Sequence, residues 1–408
     1  MAMDTSNIFK TISAVLSQSG SPAVYKLKPK KEMIGNVTRM TIGKKSSTRN
    51  ETETHQTKKT VLLVGETGTG KSTLINALVN YAMGVKWEDN IWFEIVEEMT
   101  GCQSESQTSD VTVYEIFGFE GKTLPYSLTI IDTPGYGDTR GVSHDDIVSQ
   151  RLLELFHSEG GVHELSAVGL VLKASTNRLS DRQSYIFNSV LSLFGRNMAD
   201  SIVALVTHSP GRKPANVLKA LEVANVKCAK DEKSQPVYFL FDNCQTEDRE
   251  EDPDALEHAD RISMKGMRQF ADFLSKSEPV SLQMTVEVMN ERMRLKVCIK
   301  NLKEKVEFIE EKHRETQGSD GSWSLILRLM SFGVCRMEKS KWLEESFQHI
   351  VRLEQIALNA DSLSTHVHLD FLIKMMEERG DTEKIQKLKV IKSRVDHGIE
   401  AGIRYTRP

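Results

Sequence analysis

The chain has 408 residues and 39% of them are hydrophobic, so we expect two or three domains with sizeable apolar cores. A formal net charge of −4 excludes a general electrostatic attraction to nucleic acid. The five cysteines have no CxxC spacing, no run of about 18 apolar residues is present and the N-terminal residues lack a signal-peptide core, so we expect a cytoplasmic protein with reduced thiols.

Residues 1–58 contain ten Lys or Arg against four Asp or Glu and are otherwise rich in Ser and Thr. They have no sustained apolar period, which predicts a basic flexible tail. A short apolar stripe at helical spacing precedes the basic run Lys26–Lys31; it consists of Ile8, Phe9, Ile12, Val15 and Leu16. Such a stripe could dock on a membrane surface or on a partner. One short stripe is weak evidence, so we predict a tail and leave membrane contact open.

A phosphate-binding motif follows the first apolar run of the chain. GETGTGKST matches GxxxxGK(S/T) and lies between the strand-like Val61–Val64 and the helical pattern Leu74–Val79. Its glycines let backbone N–H groups turn inward toward a triphosphate, beside the positive end of the following helix. Lys71 would reach the β- and γ-phosphates, and the Ser72 hydroxyl would bind Mg²⁺. The candidate nucleotide-binding residues of this loop are Gly65, Glu66, Thr67, Gly68, Thr69, Gly70, Lys71, Ser72 and Thr73.

Strand-like and helical segments alternate over residues 59–275, which predicts an α/β domain with a mostly parallel six-stranded sheet between helices. The predicted strands are Val61–Val64, Val111–Phe117, Leu128–Asp132, Ala167–Leu172, Ile202–Val206 and Val237–Phe241. Ser180 and Gln183 have the spacing of a capping box, and we expect the helix that follows them to end at Gly195. An all-helical region is predicted over residues 276–408.

A DxxG motif follows the third predicted strand at Asp132–Gly135. Ligands bind beyond the carboxyl ends of parallel strands, so Asp132 could hold Mg²⁺ through water and the N–H of Gly135 could contact the γ-phosphate. The polar loop before this strand is expected to supply one further hydroxyl to Mg²⁺. Our candidate is Thr108; Ser106, Ser109 and Thr112 are the rivals.

GETGTGKST and DTPGYGD together resemble the septin and immunity-associated (IMAP) branch of P-loop GTPases, which includes the chloroplast import-receptor GTPases. Residues 177–195 resemble the IMAP pattern of an arginine before a helix that ends in Phe-Gly. The resemblance covers residues 59–275 and implies a G domain that binds GTP or GDP with Mg²⁺. It also implies that Arg178 reaches across a nucleotide-dependent dimer to stabilise transition-state charge. The alternative is an exposed arginine at the start of a helix.

Two positions depart from common GTPase patterns. Tyr136 stands where many small GTPases carry a water-orienting Gln, so hydrolysis is slow or another group completes the site. Thr207–Pro210 (THSP) stands where Asn/Thr-Lys-x-Asp reads guanine, and loss of that aspartate could lower base discrimination by about a hundredfold. The import-receptor resemblance makes His208 a base contact, against the alternative of a loop histidine. Asn243 matches the asparagine after the sixth IMAP strand and is a second candidate base contact.

Residues 276–408 contain helical patterns and no catalytic constellation. A heptad seam is formed by Leu295, Ile299, Leu302, Val306 and Ile309. It predicts a helix that either lies on the G domain or pairs with a second copy. Further helices are predicted at residues 338–360, 364–379 and 382–400, and they could dock a partner protein.

The sequence therefore predicts a GTP-binding hydrolase that is slow or dimer-activated and forms homodimers or homo-oligomers through its nucleotide face. The predicted catalytic residues are Thr108, Gly135 and Arg178, and the predicted metal-binding residues are Ser72, Thr108 and Asp132. No nucleic-acid partner is expected. The alternatives are a nucleotide-stabilised polymerising scaffold with little hydrolysis and an ATP-binding P-loop protein.

Overall fold

The structure is a computed structural model, and it describes residues 8–9, 11–44, 57–96, 110–134, 142–316, 322–360 and 363–393. The described strands are β1 (Ala14–Gln18), β2 (Ala23–Leu27), β3 (Lys30–Ile34), β4 (Val37–Ile42), β5 (Lys58–Val64), β6 (Ile91–Glu94), β7 (Thr112–Ile116), β8 (Ser127–Asp132), β9 (Glu164–Leu165), β10 (Ala167–Lys173), β11 (Ile202–Thr207), β12 (Tyr238–Leu240) and β13 (Val280–Ser281). The described α-helices are α1 (Lys71–Met83), α2 (Val142–His157), α3 (Asp181–Leu191), α4 (Ala215–Val223), α5 (Pro253–Lys276), α6 (Gln283–Thr316), α7 (Ser322–Ile356), α8 (Leu363–Arg379) and α9 (Thr382–Ser393).

Eight strands form the central sheet in the order β12-β11-β10-β5-β8-β7-β4-β3. The run from β12 to β8 is parallel. β7 is antiparallel to β8 and parallel to β4, and β3 closes the edge as the antiparallel partner of β4. All six predicted strands lie in this sheet as β5, β7, β8, β10, β11 and β12. The prediction of an α/β fold with a largely parallel sheet is therefore confirmed.

Both faces of the sheet are covered, which explains why its central strands are continuous apolar runs. Leu62 and Val64 of β5 join the core cluster that α2, α3 and α4 complete. Val61 and Leu63 point to the other face, where α1 and α5 pack. The end of β5 is thereby fixed from both sides, and the phosphate-binding motif begins there.

Residues 14–42 correct the prediction of a flexible tail, because they contain four strands. β3 and β4 extend the central sheet from six strands to eight, whereas β1 and β2 form a separate three-stranded sheet with β6. Val37 and Ile42 are buried at the two ends of β4. β3 is the exposed edge strand and carries Lys30, Lys31 and Glu32, charges that are typical of sheet edges and resemble those of a solvated tail.

The predicted apolar stripe near the N-terminus is also not one continuous helix. Val15 and Leu16 lie in β1, and their side chains are 48% and 51% exposed. Ile8, in contrast, is fully buried in the core on the α1 face of the sheet.

The C-terminal helices form their own apolar core. α6 and α7 are a long antiparallel pair, in which Glu287 contacts Arg352 and Lys305 contacts Glu338. The seam residues Leu295, Ile299 and Leu302 are buried in a cluster with residues of α7, α8 and α9. The seam therefore packs within its own chain rather than on the G domain. No described helix is both long enough and apolar enough to cross a membrane.

Candidate functional site

The loop between β5 and α1 turns through glycines in the left-handed region. Gly68 has φ +80° and Gly70 has φ +83°, backbone angles that residues with a side chain rarely adopt. Gly65 is required by close packing instead, because a Cβ there would lie 2.8 Å from the Val171 carbonyl oxygen. Gly70 is the N-cap of α1 and no side chain of the described residues caps the helix, so its first N–H groups are available to an anion.

A buried pair of opposite charges lies beside this helix start. The Lys71 Nζ is 3.8 Å from Asp132 Oδ1, and the two side chains are 8% and 0% exposed. Asp132 ends β8 directly opposite Leu63 of β5, and the Thr133 hydroxyl donates a 2.9 Å hydrogen bond to the Leu63 carbonyl. The Asp132 carboxylate and the hydroxyl of Ser72, which follows Lys71 in α1, are hard oxygen donors, the ligand type that Mg²⁺ prefers.

The end of β11 contacts the phosphate loop from the other side. The Thr207 hydroxyl donates to the Thr69 carbonyl at 2.6 Å and lies 3.2 Å from the Leu172 carbonyl. His208 follows in the left-handed region at φ +51°, with its Nδ1 3.2 Å from the Thr207 Oγ1. A Cβ built on Gly70 would lie 3.4 Å from the His208 ring, so the imidazole borders the phosphate loop.

The loop after β12 carries two further polar side chains, Asp242 and Asn243, and Asp242 lies near His208. Asn243 Oδ1 accepts a 2.9 Å hydrogen bond from the Ser263 hydroxyl, whereas its buried Nδ2 has no hydrogen-bond partner among the described residues. Burial raises the pKa of Asp242, and the nearby His208 partly opposes that rise. The sequence motifs predict His208 and Asn243 but not Asp242, whose available signal is a carboxylate directly after a buried strand.

Two arginines mark the start of α3. The predicted capping box is confirmed: Ser180 Oγ accepts from the Gln183 N–H at 3.0 Å, and Gln183 Oε1 accepts from the Ser180 N–H at 3.1 Å. Arg178 is exposed just before this box. Arg182 lies in the first turn of α3, and its Nε is 3.5 Å from Glu66 Oε1 of the phosphate loop. Sequence reasoning missed this ion pair.

Several predicted residues lie outside the described residues. Thr108, Gly135 and Tyr136 belong to this group, as do the rival ligands Ser106 and Ser109. Thr112, the remaining rival, is buried in β7. The roles assigned to Thr108 and Gly135 remain predictions.

Comparison with known proteins places the phosphate loop in a defined family domain. Residues 59–252 match the AIG1 family. The structure of a dimerization-deficient mutant of Toc33 from Arabidopsis thaliana is 16% identical in sequence to this chain and gives a TM-score of 0.39. The alignment covers 55% of this chain and 87% of the Toc33 chain. The structure of Toc33 in complex with Mg²⁺ and GMPPNP is also 16% identical and gives a TM-score of 0.37. Its alignment covers 55% of this chain and 88% of the Toc33 chain.

A third solved structure shares much less of its own length with this chain. The translation elongation factor SelB from Methanococcus maripaludis is 10% identical, covers 55% of this chain and 36% of that chain, and gives a TM-score of 0.30. No curated protein gives a significant match. The family match confirms the resemblance to the immunity-associated branch, which rested on residues 65–73, 132–138 and 177–195. Residues 59–252 therefore match the AIG1 family of P-loop GTPases, and an all-helical region follows them.

Proposed function

We propose that the protein binds a guanine nucleotide with Mg²⁺ at this site and hydrolyses GTP slowly, with faster turnover in a nucleotide-dependent homodimer. The observation that carries the proposal is the convergence of three features at one point. The uncapped start of α1, the buried Lys71 and the buried Asp132 meet where β5 and β8 end. A polyphosphate with a bound divalent cation matches this arrangement in both charge and shape.

Each residue of the phosphate part has a distinct task. The N–H groups of the loop and of the first turn of α1 would donate to phosphate oxygens, and Lys71 would bind the β- and γ-phosphates. Ser72 and Asp132 would hold Mg²⁺, the aspartate through water. Bound Mg²⁺ would supply neutralisation of the charge on the phosphate oxygens.

The residues that we propose as base contacts favour guanine over adenine. Guanine presents an N1–H and an exocyclic amino group on one edge, and the Asp242 carboxylate could accept from both. The unpartnered Asn243 Nδ2 could donate to the guanine O6. Adenine offers N1 as an acceptor there, which a carboxylate repels. His208 would contact the base from the phosphate-loop side.

The exposed Arg178 supports the dimer part of the proposal. Because Tyr136 cannot orient water as a glutamine amide does, a single chain lacks one group that speeds hydrolysis in other GTPases. An arginine supplied by a partner is worth about 10³ to 10⁵ in rate. For the chloroplast translocon components atToc33 and psToc159, dimerization is important for GTPase activity. For this chain the proposal depends on Arg178 and Tyr136.

Phosphate release measured over a range of protein concentrations tests the proposal. We expect turnover per chain to rise with concentration, and we expect Arg178→Ala to abolish that rise while nucleotide affinity persists. Arg261→Ala, which changes an exposed arginine of α5, is the matched control. Turnover that is independent of concentration and unchanged in Arg178→Ala would reject the dimer mechanism.

Measurements on the same protein samples distinguish the proposed function from two alternatives. A nucleotide-stabilised scaffold, which Tyr136 favours, would give GTP-dependent assemblies on sizing without phosphate release. An ATP-binding protein, which remains open because the phosphate-loop motif does not select a base, would show equal displacement of labelled GTP by ATP and GTP. Cytoplasmic localisation, a partner on the helical region and the domain boundary at residue 275 remain predictions.

A further inference from the structure

Helix α3 is held at its first turn by the phosphate loop. The Arg182 Nε lies 3.5 Å from Glu66 Oε1, and both side chains are partly buried, at 31% and 23% exposure. Arg178, the proposed trans-acting arginine, lies four residues earlier in the same segment. The position of α3 therefore affects both a residue of the phosphate loop and the residue proposed to act across the dimer.

The other end of α3 is held by the helical region through Arg292 of α6. Arg292 Nε donates to the Ser192 carbonyl at 2.9 Å, at the carboxyl end of α3. Its Nη1 donates to the Thr365 hydroxyl at 2.8 Å, and its Nη2 donates to the Asn359 carbonyl at 2.6 Å. One guanidinium thus ties the end of α3 to the start of α8 and to the segment before it.

Further contacts surround this arginine. The Gly195 N–H donates to the Thr285 hydroxyl at 3.2 Å, and the Leu358 N–H donates to the Phe194 carbonyl at 2.8 Å. A Cβ on Gly195 would lie 2.7 Å from Met284 Cγ, so α6 packs directly on this backbone. The segment after α3 is therefore enclosed by α6 and by the segment between α7 and α8.

The physical consequence follows from helix rigidity. An 11-residue helix is about 16 Å long and moves as a unit, so a constraint at one end restricts the other. The last carbonyls of a helix have no partner within the helix and carry its negative end, which makes a guanidinium there favourable.

We propose that Arg292 is a positioning residue for the nucleotide site, acting through α3 on Glu66 and Arg178. This inference rests on the proposed function and extends it to the helical region. It assigns that region a role in setting the geometry of the phosphate loop and of the dimer face.

The first experiment compares Arg292→Ala with Arg294→Ala, a neighbouring arginine of α6 whose side chain is 65% exposed. We expect Arg292→Ala to lower dimer-dependent turnover by roughly ten- to a hundredfold, the scale of small misplacements remote from the chemistry. Affinity of the folded fraction for a fluorescent GTP analogue should fall as well, and Arg292→Lys should restore part of both. A merely structural role would lower the folded fraction without changing its affinity or turnover. Equal behaviour of Arg292→Ala and Arg294→Ala would overturn the proposal.

Hydrogen exchange of the nucleotide-free protein tests the inference independently of GTP. We expect Arg292→Ala to speed exchange across residues 181–191 and 65–73. Faster exchange confined to residues 283–296 and 357–365 would reject the coupling even if GTP binding were confirmed. If Arg292→Ala fails to fold, Thr285→Val removes the hydrogen bond to the Gly195 N–H and should produce the same exchange pattern more weakly. Failure of the proposed function would instead show as absent GTP binding in the wild type.

The same mechanism predicts non-additivity. If Arg292 acts through Arg182 and Glu66, the double variant Arg182→Ala/Arg292→Ala should lose no more GTP-analogue affinity than Arg182→Ala alone. Strictly additive losses of affinity would mean that Arg292 acts by another route and would refute this part of the proposal.

Discussion

The Thr207 hydroxyl donates a 2.6 Å hydrogen bond to the carbonyl oxygen of Thr69, which joins the end of β11 to the phosphate loop. The same oxygen lies 3.2 Å from the Leu172 carbonyl of β10 and 3.2 Å from the His208 imidazole. One side chain therefore fixes the relative positions of the phosphate loop, the sheet edge and the proposed base contact.

Thr207→Val keeps the side-chain shape and removes this hydroxyl. The buried Thr69 carbonyl would lose its donor, which costs about 1–3 kcal/mol of folding free energy. We expect a lower melting temperature and GTP-analogue affinity that is about five- to tenfold weaker, since the loop and the base contact would shift together. Thr207→Ser keeps the hydroxyl and serves as control. Equal melting temperature and affinity in the two variants would show that the hydrogen bond has no role.

The sequence predicted the six strands whose two faces are both covered, because their apolar runs are continuous. It did not predict β3 and β4, because the charged residues of the edge strand β3 are also typical of a solvated tail. A local signal was present: Ile34 pairs with Val37 around the two-residue loop Gly35-Asn36, a typical hairpin sequence, and the β-branched VTRMTI follows. The prediction of a tail was based on the charge and composition of residues 1–58 as a whole, and this short-range pattern was not used.

The candidate site divides in the same way. The phosphate-binding residues occupy one continuous segment, so a motif was sufficient to identify Gly65–Thr73. The ion pair between Glu66 and Arg182 joins positions far apart in sequence, and only the fold brings them together. Asp242 was not predicted because the family resemblance after β12 covers only the neighbouring Asn243, and only the fold shows that the Asp242 carboxylate lies near His208.

Lys71→Met should have two separate effects. It removes the cation beside the buried Asp132, so we expect a loss of about 1–3 kcal/mol of stability without nucleotide. It also removes the proposed phosphate contact, so GTP should no longer raise the melting temperature. Adding Asp132→Asn should recover part of the stability without restoring binding, and a urea-denaturation double-mutant cycle measures this coupling. A fully additive cycle would show that the two charges do not interact.

Asp242→Asn should change base preference rather than abolish binding. The amide can donate to the carbonyl that xanthine carries in place of the guanine amino group, whereas guanine would lose a charge-assisted acceptor. We expect GTP affinity to fall by about tenfold or more and XTP affinity to rise, measured by competition against a fluorescent nucleotide. Asp248→Asn, in the following loop, is the control. If the preference for GTP over XTP stays unchanged, Asp242 does not read the base.

The imidazole of His368 in α8 is held neutral by the helical core. Burial lowers the pKa of His368 from its ordinary value of 6.5 to about 4, and Lys303 and Lys296 of α6 add to the effect. Its buried Nδ1 has no hydrogen-bond partner among the described residues. The His368 imidazole therefore binds a proton less readily in the folded protein than in the unfolded chain.

Acidification should consequently destabilise the helical region over a defined pH range. Above about pH 6.5 the imidazole is neutral in both states, and between 6.5 and 4 only the unfolded chain binds the proton, so stability falls as pH falls. Because the ring is not fully buried, we expect about 1–2 kcal/mol over this range, measured by urea denaturation followed by circular dichroism. His368→Gln should flatten the pH dependence, and His258→Gln on α5 should leave it intact. An unchanged slope in His368→Gln would assign the acid sensitivity to other groups.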